Sequence, residues 1–200
     1  MGWPVRPDLE IISDWIPAGA GVLDMGCGDG TLLAHLRDTR DVRGYGLEID
    51  QENIARCFEN GVNVLEQDID EGLGNFANKR FDYVLMTQAL QAVRRPDQVL
   101  AEMLRVGREA IITFPNFGHW RVRGYLFFRG KMPVSPTLPW QWYNTPNIHL
   151  CTVNDFDRLC QEKGYRIIER RVVDRHHSSG LMTRMMPNLF GELAIYRVTT

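Results

Sequence analysis

Val22-Leu23-Asp24-Met25-Gly26-Cys27-Gly28-Asp29-Gly30 is the stretch that decides the fold of this chain. An apolar β-type run ends at Asp24, glycines follow on alternate positions, and Thr31-Leu32-Leu33 opens a helical pattern. Strand, glycine turn and helix in that order make a ligand-binding turn at the carboxyl end of a sheet strand. Glycine at such a turn allows positive φ and lets a ligand come close to the backbone.

The residues around the glycines narrow the ligand. A P-loop needs Gly-Lys-Ser/Thr after its glycines, and Asp29-Gly30-Thr31 has no such lysine. A dinucleotide turn needs G-x-G-x-x-G, whereas here the glycines run G-x-G-x-G. Asp24, directly before the turn, would repel a pyrophosphate and suits a ligand carrying an ammonium and a sulfonium instead. Cys27 reads as a small residue that fits the turn, not as a nucleophile.

Working outward, strands alternate with helices. Arg6 to Ile16 reads as an amphipathic helix ended by Pro17, with Leu9, Ile12 and Ile16 on one face. Gly21–Asp24 is the first strand and Thr31–Arg37 a helix. Arg43–Glu48 is the second strand, Gln51–Asn60 a helix stopped by Gly61, and Val62–Leu65 a short third strand. Phe81–Met86 is a strongly apolar fourth strand, as expected for one covered on both faces. Arg95–Val106 is a helix and Ala110–Phe114 the fifth strand. This spacing implies a parallel sheet with right-handed crossovers.

The rhythm breaks from Pro115 to about Leu150. Pro133, Pro136, Pro139 and Pro146 prevent long helices there, among many aromatic residues. A long irregular stretch of this kind reads as a lid or binding loop. Thr152-Val153-Asn154-Asp155 resembles a capping box for a helix ending at Gly164. Tyr165–Val173 and Glu192–Val198 read as two last strands, joined by a loop with Met182, Met185 and Met186. With no repeat or low-complexity segment, residues 1–200 read as a single domain with an aromatic lid at 115–150.

Composition excludes some function classes. A formal net charge of -2 argues against a dedicated nucleic-acid binder, although Arg121, Arg123, Arg129 and Lys131 stand among the lid aromatics. No apolar run approaches the ~18 residues of a membrane span, and no signal-peptide core opens the chain, so a cytoplasmic location is expected. Cys27, Cys57, Cys151 and Cys160 show no CxxC spacing, which reads as free thiols in a reducing compartment. His176-His177 are adjacent, so on a strand they would face opposite ways, and no metal site is expected.

Asp24-Met25-Gly26-Cys27-Gly28-Asp29-Gly30 resembles the nucleotide turn of class I S-adenosylmethionine-dependent methyltransferases. That resemblance implies an α/β fold of three layers: a doubly wound, mostly parallel seven-stranded sheet with an antiparallel final strand. It also implies cofactor-binding roles for Asp24, Gly26, Cys27, Gly28 and Gly30. Glu48 would hold the ribose hydroxyls, two acceptor oxygens matching a vicinal diol, with Ile49 beside it. Asp68 matches the residue that accepts from the adenine amino group, with Ile69 beside the ring, and Gln88 sits where the family faces the methyl donor.

A closer resemblance runs along nearly the whole chain. Arg6-Pro7-Asp8-Leu9, Tyr45-Gly46-Leu47-Glu48-Ile49-Asp50, Thr87-Gln88-Ala89-Leu90-Gln91 and Phe114-Pro115-Asn116-Phe117-Gly118-His119-Trp120 look like the MetW family of methionine-biosynthesis proteins. The lid run Leu138-Pro139-Trp140-Gln141-Trp142-Tyr143-Asn144-Thr145-Pro146-Asn147-Ile148-His149 is the most specific of these. The resemblance implies a protein that binds S-adenosylmethionine or S-adenosylhomocysteine and activates or regulates a homoserine O-acyltransferase (acetyl or succinyl). The other reading is an active methyltransferase on a small molecule, for which His119, Tyr143 and His149 are the lid groups able to deprotonate an acceptor. Phe114-Pro115-Asn116-Phe117 is not the Asn/Asp-Pro-Pro-Tyr/Phe signature of amino-group methylases.

Overall fold

The computed structural model describes residues 7–135, 137–174 and 180–200. Arg6, Pro136, His176 and His177 lie outside the described residues, so the expectations placed on them are not addressed by the structure.

Seven strands form one sheet: β1 (Gly21–Met25), β2 (Arg43–Glu48), β3 (Val64–Glu66), β4 (Phe81–Thr87), β5 (Gly107–Pro115), β6 (Arg166–Val173) and β7 (Leu193–Thr199). Their order is β3-β2-β1-β4-β5-β7-β6. β1 to β5 pair in parallel, and β7 inserts antiparallel between β5 and β6. The expected seven-stranded doubly wound sheet with an antiparallel final strand is therefore what the chain forms.

Residues of the central strands alternate between two cores, as the period of two requires. Val22, Leu85, Ile111 and Ile195 pack beneath α1 (Pro7–Trp15), α2 (Thr31–Arg40) and α3 (Gln51–Glu59). Leu23, Val84, Met86, Ile112 and Tyr196 face the opposite side, beneath α4 (Pro96–Val106) and α6 (Val153–Lys163). Both faces are covered, which explains why β4 and β5 read as nearly continuous apolar runs.

Local chemistry sets the helix ends. The Asp50 side chain accepts from Asn53 N at 2.9 Å to start α3, and Thr152 and Asp155 form a reciprocal capping box that starts α6. The third strand begins later than its sequence indicates. Val62 N donates instead to Cys57 O at the end of α3, so pairing starts at Val64.

The lid departs from the sequence reading more substantially. Residues Trp120–Arg129 form α5, which ends at Gly130 with φ 61°. The prolines begin only at Pro133, so nothing in this run opposes a helix, and Gly130 supplies the left-handed stop. The methionine-bearing loop also contains a short helix, α7 (Leu181–Met185), followed by α8 (Pro187–Phe190). None of the helices among the described residues is long and apolar enough to cross a membrane.

Candidate functional site

The sheet order places β1 between β2 and β4, so crossovers leave the sheet in opposite directions at the β1/β4 junction. Ligands of open α/β sheets bind outside the carboxyl ends of the strands at such a switch point. Asp24 lies in β1 and is fully buried, Glu48 closes β2, and Asp68 follows β3. Three carboxylates from three neighbouring strands thus converge on one edge.

The glycine loop is folded against β2 and α3. Gly26 N and Cys27 N both donate to Leu47 O, at 2.8 and 3.1 Å, and Gly30 N donates to Cys27 O. Cys57 Sγ donates to Gly28 O, and Asn60 Nδ2 holds Asp29 O at 2.9 Å. Gly28 N donates to Glu48 Oε2 at 2.8 Å, and Thr31 N is taken by Asp29. A phosphate cradle needs its loop N–H groups free to face the anion. Here the N–H groups of Gly26, Cys27, Gly28, Gly30 and Thr31 are taken by carbonyls and carboxylates, so they do not form such a cradle.

Two glycines have clear structural reasons. Gly28 has φ 56°, and a Cβ there would meet nothing within 4 Å, so the loop stays open on that side. A Cβ on Gly46 would run into Cys27 Sγ, so β2 can pass beneath the loop only without a side chain. Cys27 is therefore a packed residue, as expected. Burial pushes its thiol far up, with Asp24 and the nearby Cys57 thiol adding to the shift. A thiol held protonated is a poor nucleophile.

Glu48 is the hinge of this arrangement. Its Oε1 accepts from Ile49 N at 2.8 Å and Asp50 N at 3.0 Å, and its Oε2 accepts from Gly28 N. A carboxylate has about four lone-pair sites, so Oε2 keeps one for a hydroxyl donor. Ile49 itself is exposed. Asp68 caps a short 3-10 turn by accepting from Asp70 N at 2.9 Å, and Ile69 in that turn packs toward the core beside Gly26.

Gln88 stands just after β4 in the left-handed region, with φ 55°. Its N–H is shared between Thr113 O and Thr113 Oγ1, both at 3.0 Å, and its carbonyl accepts from Gln91 Nε2 at 2.7 Å. Non-glycine residues held in this region by their surroundings cluster at ligand sites. Among the described residues its side-chain amide makes no hydrogen bond.

The three lid residues expected to handle a proton are separated by the structure. Tyr143 is 70% exposed and lies edge-on to Trp142. His149 is also exposed, with Nε2 at 3.2 Å from Arg94 O, so its ring serves as a clasp on the turn after β4. Only His119 is buried, with Nε2 3.9 Å from Glu192 Oε1. Both line a cavity of about 180 Å³ under the lid, together with Asn116, Tyr125, Ser135 and Thr137.

Burial holds the His119 imidazole below its ordinary value, against the opposing pull of Glu192, and Arg121 adds slightly to the lowering. The folded protein therefore binds fewer protons than the unfolded chain just below pH 6.5, the ordinary histidine value. The contribution of the neutral ring is whole above that pH and declines as pH falls toward the folded pKa. His119→Gln should flatten the loss of stability between pH 7.5 and 5.5, as read from urea midpoints.

Comparison with known proteins bears on this geometry directly. The profile of the family described as methionine biosynthesis protein MetW matches residues 6–198. The chain belongs to the MetW family. A MetW relative, the bifunctional methionine biosynthesis protein MetXA/MetW of Rhodopirellula baltica, is 38% identical over 197 residues, covering 94% of this chain. The match takes in only 32% of that relative, so the chain spans about a third of its length. Among solved structures, an S-adenosylmethionine-dependent methyltransferase from Mesorhizobium loti superposes with a TM-score of 0.73 at 13% identity, covering 100% of both chains. A SAM-dependent methyltransferase from Archaeoglobus fulgidus gives 0.70 at 15% identity over 96% of this chain and 91% of its own. At such identities the likeness establishes a shared fold and not a shared reaction.

Two residues inside MetW-like motifs play parts that the sequence reading missed. The Gln91 carbonyl accepts from both Ile148 N and His149 N, at 2.9 and 3.0 Å, while its buried side chain holds Gln88. It therefore ties the end of the lid to the strand edge where the carboxylates gather. Asn116, fully inside the protein, accepts from Gly118 N and Val153 N through Oδ1. Its Nδ2 donates to Asn188 O and Gly191 O. Buried asparagine on an otherwise apolar strand end was the available signal.

Proposed function

We propose that this MetW protein binds S-adenosylmethionine or S-adenosylhomocysteine at the carboxyl edge of β1, β2 and β4, and regulates a homoserine O-acyltransferase. The residues fit such a ligand. Asp24 supplies negative charge for the cationic methionine end, and Glu48 Oε2 retains a lone pair for a ribose hydroxyl. Asp68 and Ile69 would take the adenine, and Gly26, Cys27, Gly28 and Gly30 would give the close backbone approach. Gln88 would face the sulfonium end. The spent N–H groups of the loop support a cationic nucleoside over a polyphosphate.

The partner reading is carried by one observation: the Rhodopirellula baltica relative is named as MetXA and MetW in a single chain. Domains joined in one polypeptide commonly work together, because the linkage raises their effective concentration. The Gln88–Gln91–His149 path supports a link between ligand and lid, since it joins the ligand edge to the segment that faces outward. A ligand acts on the partner only through a difference in affinity between bound and free states. The four unpaired cysteines suit a cytoplasmic location.

A second reading, methyl transfer to a small molecule, is favoured by the cavity beneath the lid, where neutral His119 stands beside Glu192. The two readings part experimentally. The protein is purified with its cognate homoserine acyltransferase, and co-elution from a sizing column is scored with S-adenosylhomocysteine present and absent. Co-elution that depends on the ligand supports regulation. Separate elution under both conditions removes the first reading.

A further inference from the structure

We infer that α5 and the adjoining lid loop form the surface that docks the acyltransferase, in a groove that is apolar at its centre and acidic at its rim. The inference rests on the partner reading above and names the face that reading leaves open.

α5 is an unusual helix for a surface. It buries no residue of its own. Tyr125, Leu126, Phe127 and Phe128 are consecutive and exposed, the two phenylalanines by 83% and 82%. Four consecutive residues span more than one helical turn of 3.6, so the apolar side chains encircle the helix and form no stripe. An amphipathic helix lying on a membrane concentrates its apolar residues on one side. Arg121, Arg123 and Arg129 lie among these apolar residues, and aromatic side chains mixed with arginine are the composition enriched at protein interfaces.

The apolar surface continues past the helix. Met132 and Phe117 share a crevice with Trp140 and Trp142, and Trp142 is 74% exposed. Exposed aromatic patches of this extent mark association sites.

Charge selects the occupant. Residues 115–150 carry Arg121, Arg123, Arg129 and Lys131 and contain no aspartate or glutamate, although the chain as a whole is net negative. Among the described residues none of these four cations is in an ion pair with a carboxylate. Two copies meeting face to face through this surface would bring like charges together. A partner with carboxylates around an apolar groove is complementary. In the Rhodopirellula baltica relative, about two thirds of the chain lies outside the matched region, which leaves room for such a partner in the same polypeptide.

The test compares wild type with the double variant Phe127→Asp/Phe128→Asp for binding to the purified acyltransferase by surface plasmon resonance. Circular dichroism and titration with S-adenosylhomocysteine serve as controls that α5 is remote from the fold and the glycine loop. The expected result is at least a hundred-fold weaker binding by the variant, with both controls unchanged. The charge pair Arg123→Glu/Arg129→Glu should slow association at low salt by about ten-fold and converge toward wild type at high salt. Equal binding by wild type and Phe127→Asp/Phe128→Asp overturns the surface while leaving the partner intact. If wild type itself does not bind the acyltransferase, the partner reading fails and takes the occupant with it. Self-association of wild type that the variant abolishes, or sedimentation with phosphatidylserine vesicles, assigns the face to another occupant and likewise overturns the inference.

Discussion

Asn116→Ala should lower the stability of this protein by about 4 kcal/mol, a large effect for one polar side chain. The residue meets four backbone groups from three places in the chain. Gly118 N and Val153 N donate to it, and Asn188 O and Gly191 O accept from it. Truncation leaves each of these largely buried groups without that partner, at roughly 1–3 kcal/mol each before relaxation. Asn116→Asp keeps the acceptor for the two N–H groups but turns a carboxylate oxygen toward two carbonyls. It should be no better than alanine. Urea midpoints with unchanged slope measure both. A loss below about 1 kcal/mol would show that the root of the lid is held by other contacts.

The second large effect concerns Glu48. Glu48→Ala removes the acceptor available to a ribose hydroxyl and also releases Gly28 N from the carboxylate that orients it. A hydrogen bond to a charged group contributes about 1.5–3 kcal/mol, so S-adenosylhomocysteine should bind on the order of 100-fold more weakly. Glu48→Gln retains shape and one acceptor oxygen, and about a ten-fold loss is expected. The fold itself should survive, because Cys57 and Asn60 still hold the loop from α3. Calorimetric titration of the three proteins measures the series. Equal affinity across it would mean that the ligand does not meet β2 at all.

These two residues mark what the sequence shows and what it hides. Glu48 stands out in sequence as an acidic residue closing a strand about 20 residues beyond a glycine turn, and the structure sets its carboxylate against Gly28 N of that turn. The sheet is legible for a local reason: apolar strand runs, helical periods and glycine stops are all written in neighbouring residues. Asn116 is not, because its partners lie far along the chain and are backbone atoms, which carry no residue identity. The same holds for the Gln91 carbonyl, which clasps Ile148 and His149. α5 was hidden for another reason. Its apolar residues follow no helical period, since none of them packs on the sheet, so periodicity had nothing to report. The lid prolines then drew the reading toward irregular chain, though they begin only after the helix has ended. His149 and Tyr143 looked like proton acceptors by residue type alone. Their exposure and contacts, visible only in three dimensions, leave His119 as the lid group that is both buried and beside a carboxylate.

The central claim is that this chain senses an S-adenosyl ligand and passes that state to an acyltransferase. The most direct measurement is the rate of homoserine acyl transfer by a fixed amount of the cognate enzyme, with increasing amounts of this protein. The account predicts a saturable change in rate whose midpoint moves when S-adenosylhomocysteine is added, and which no longer moves with Glu48→Ala. An acyl-transfer rate that stays constant at every protein concentration, with and without ligand, would contradict it.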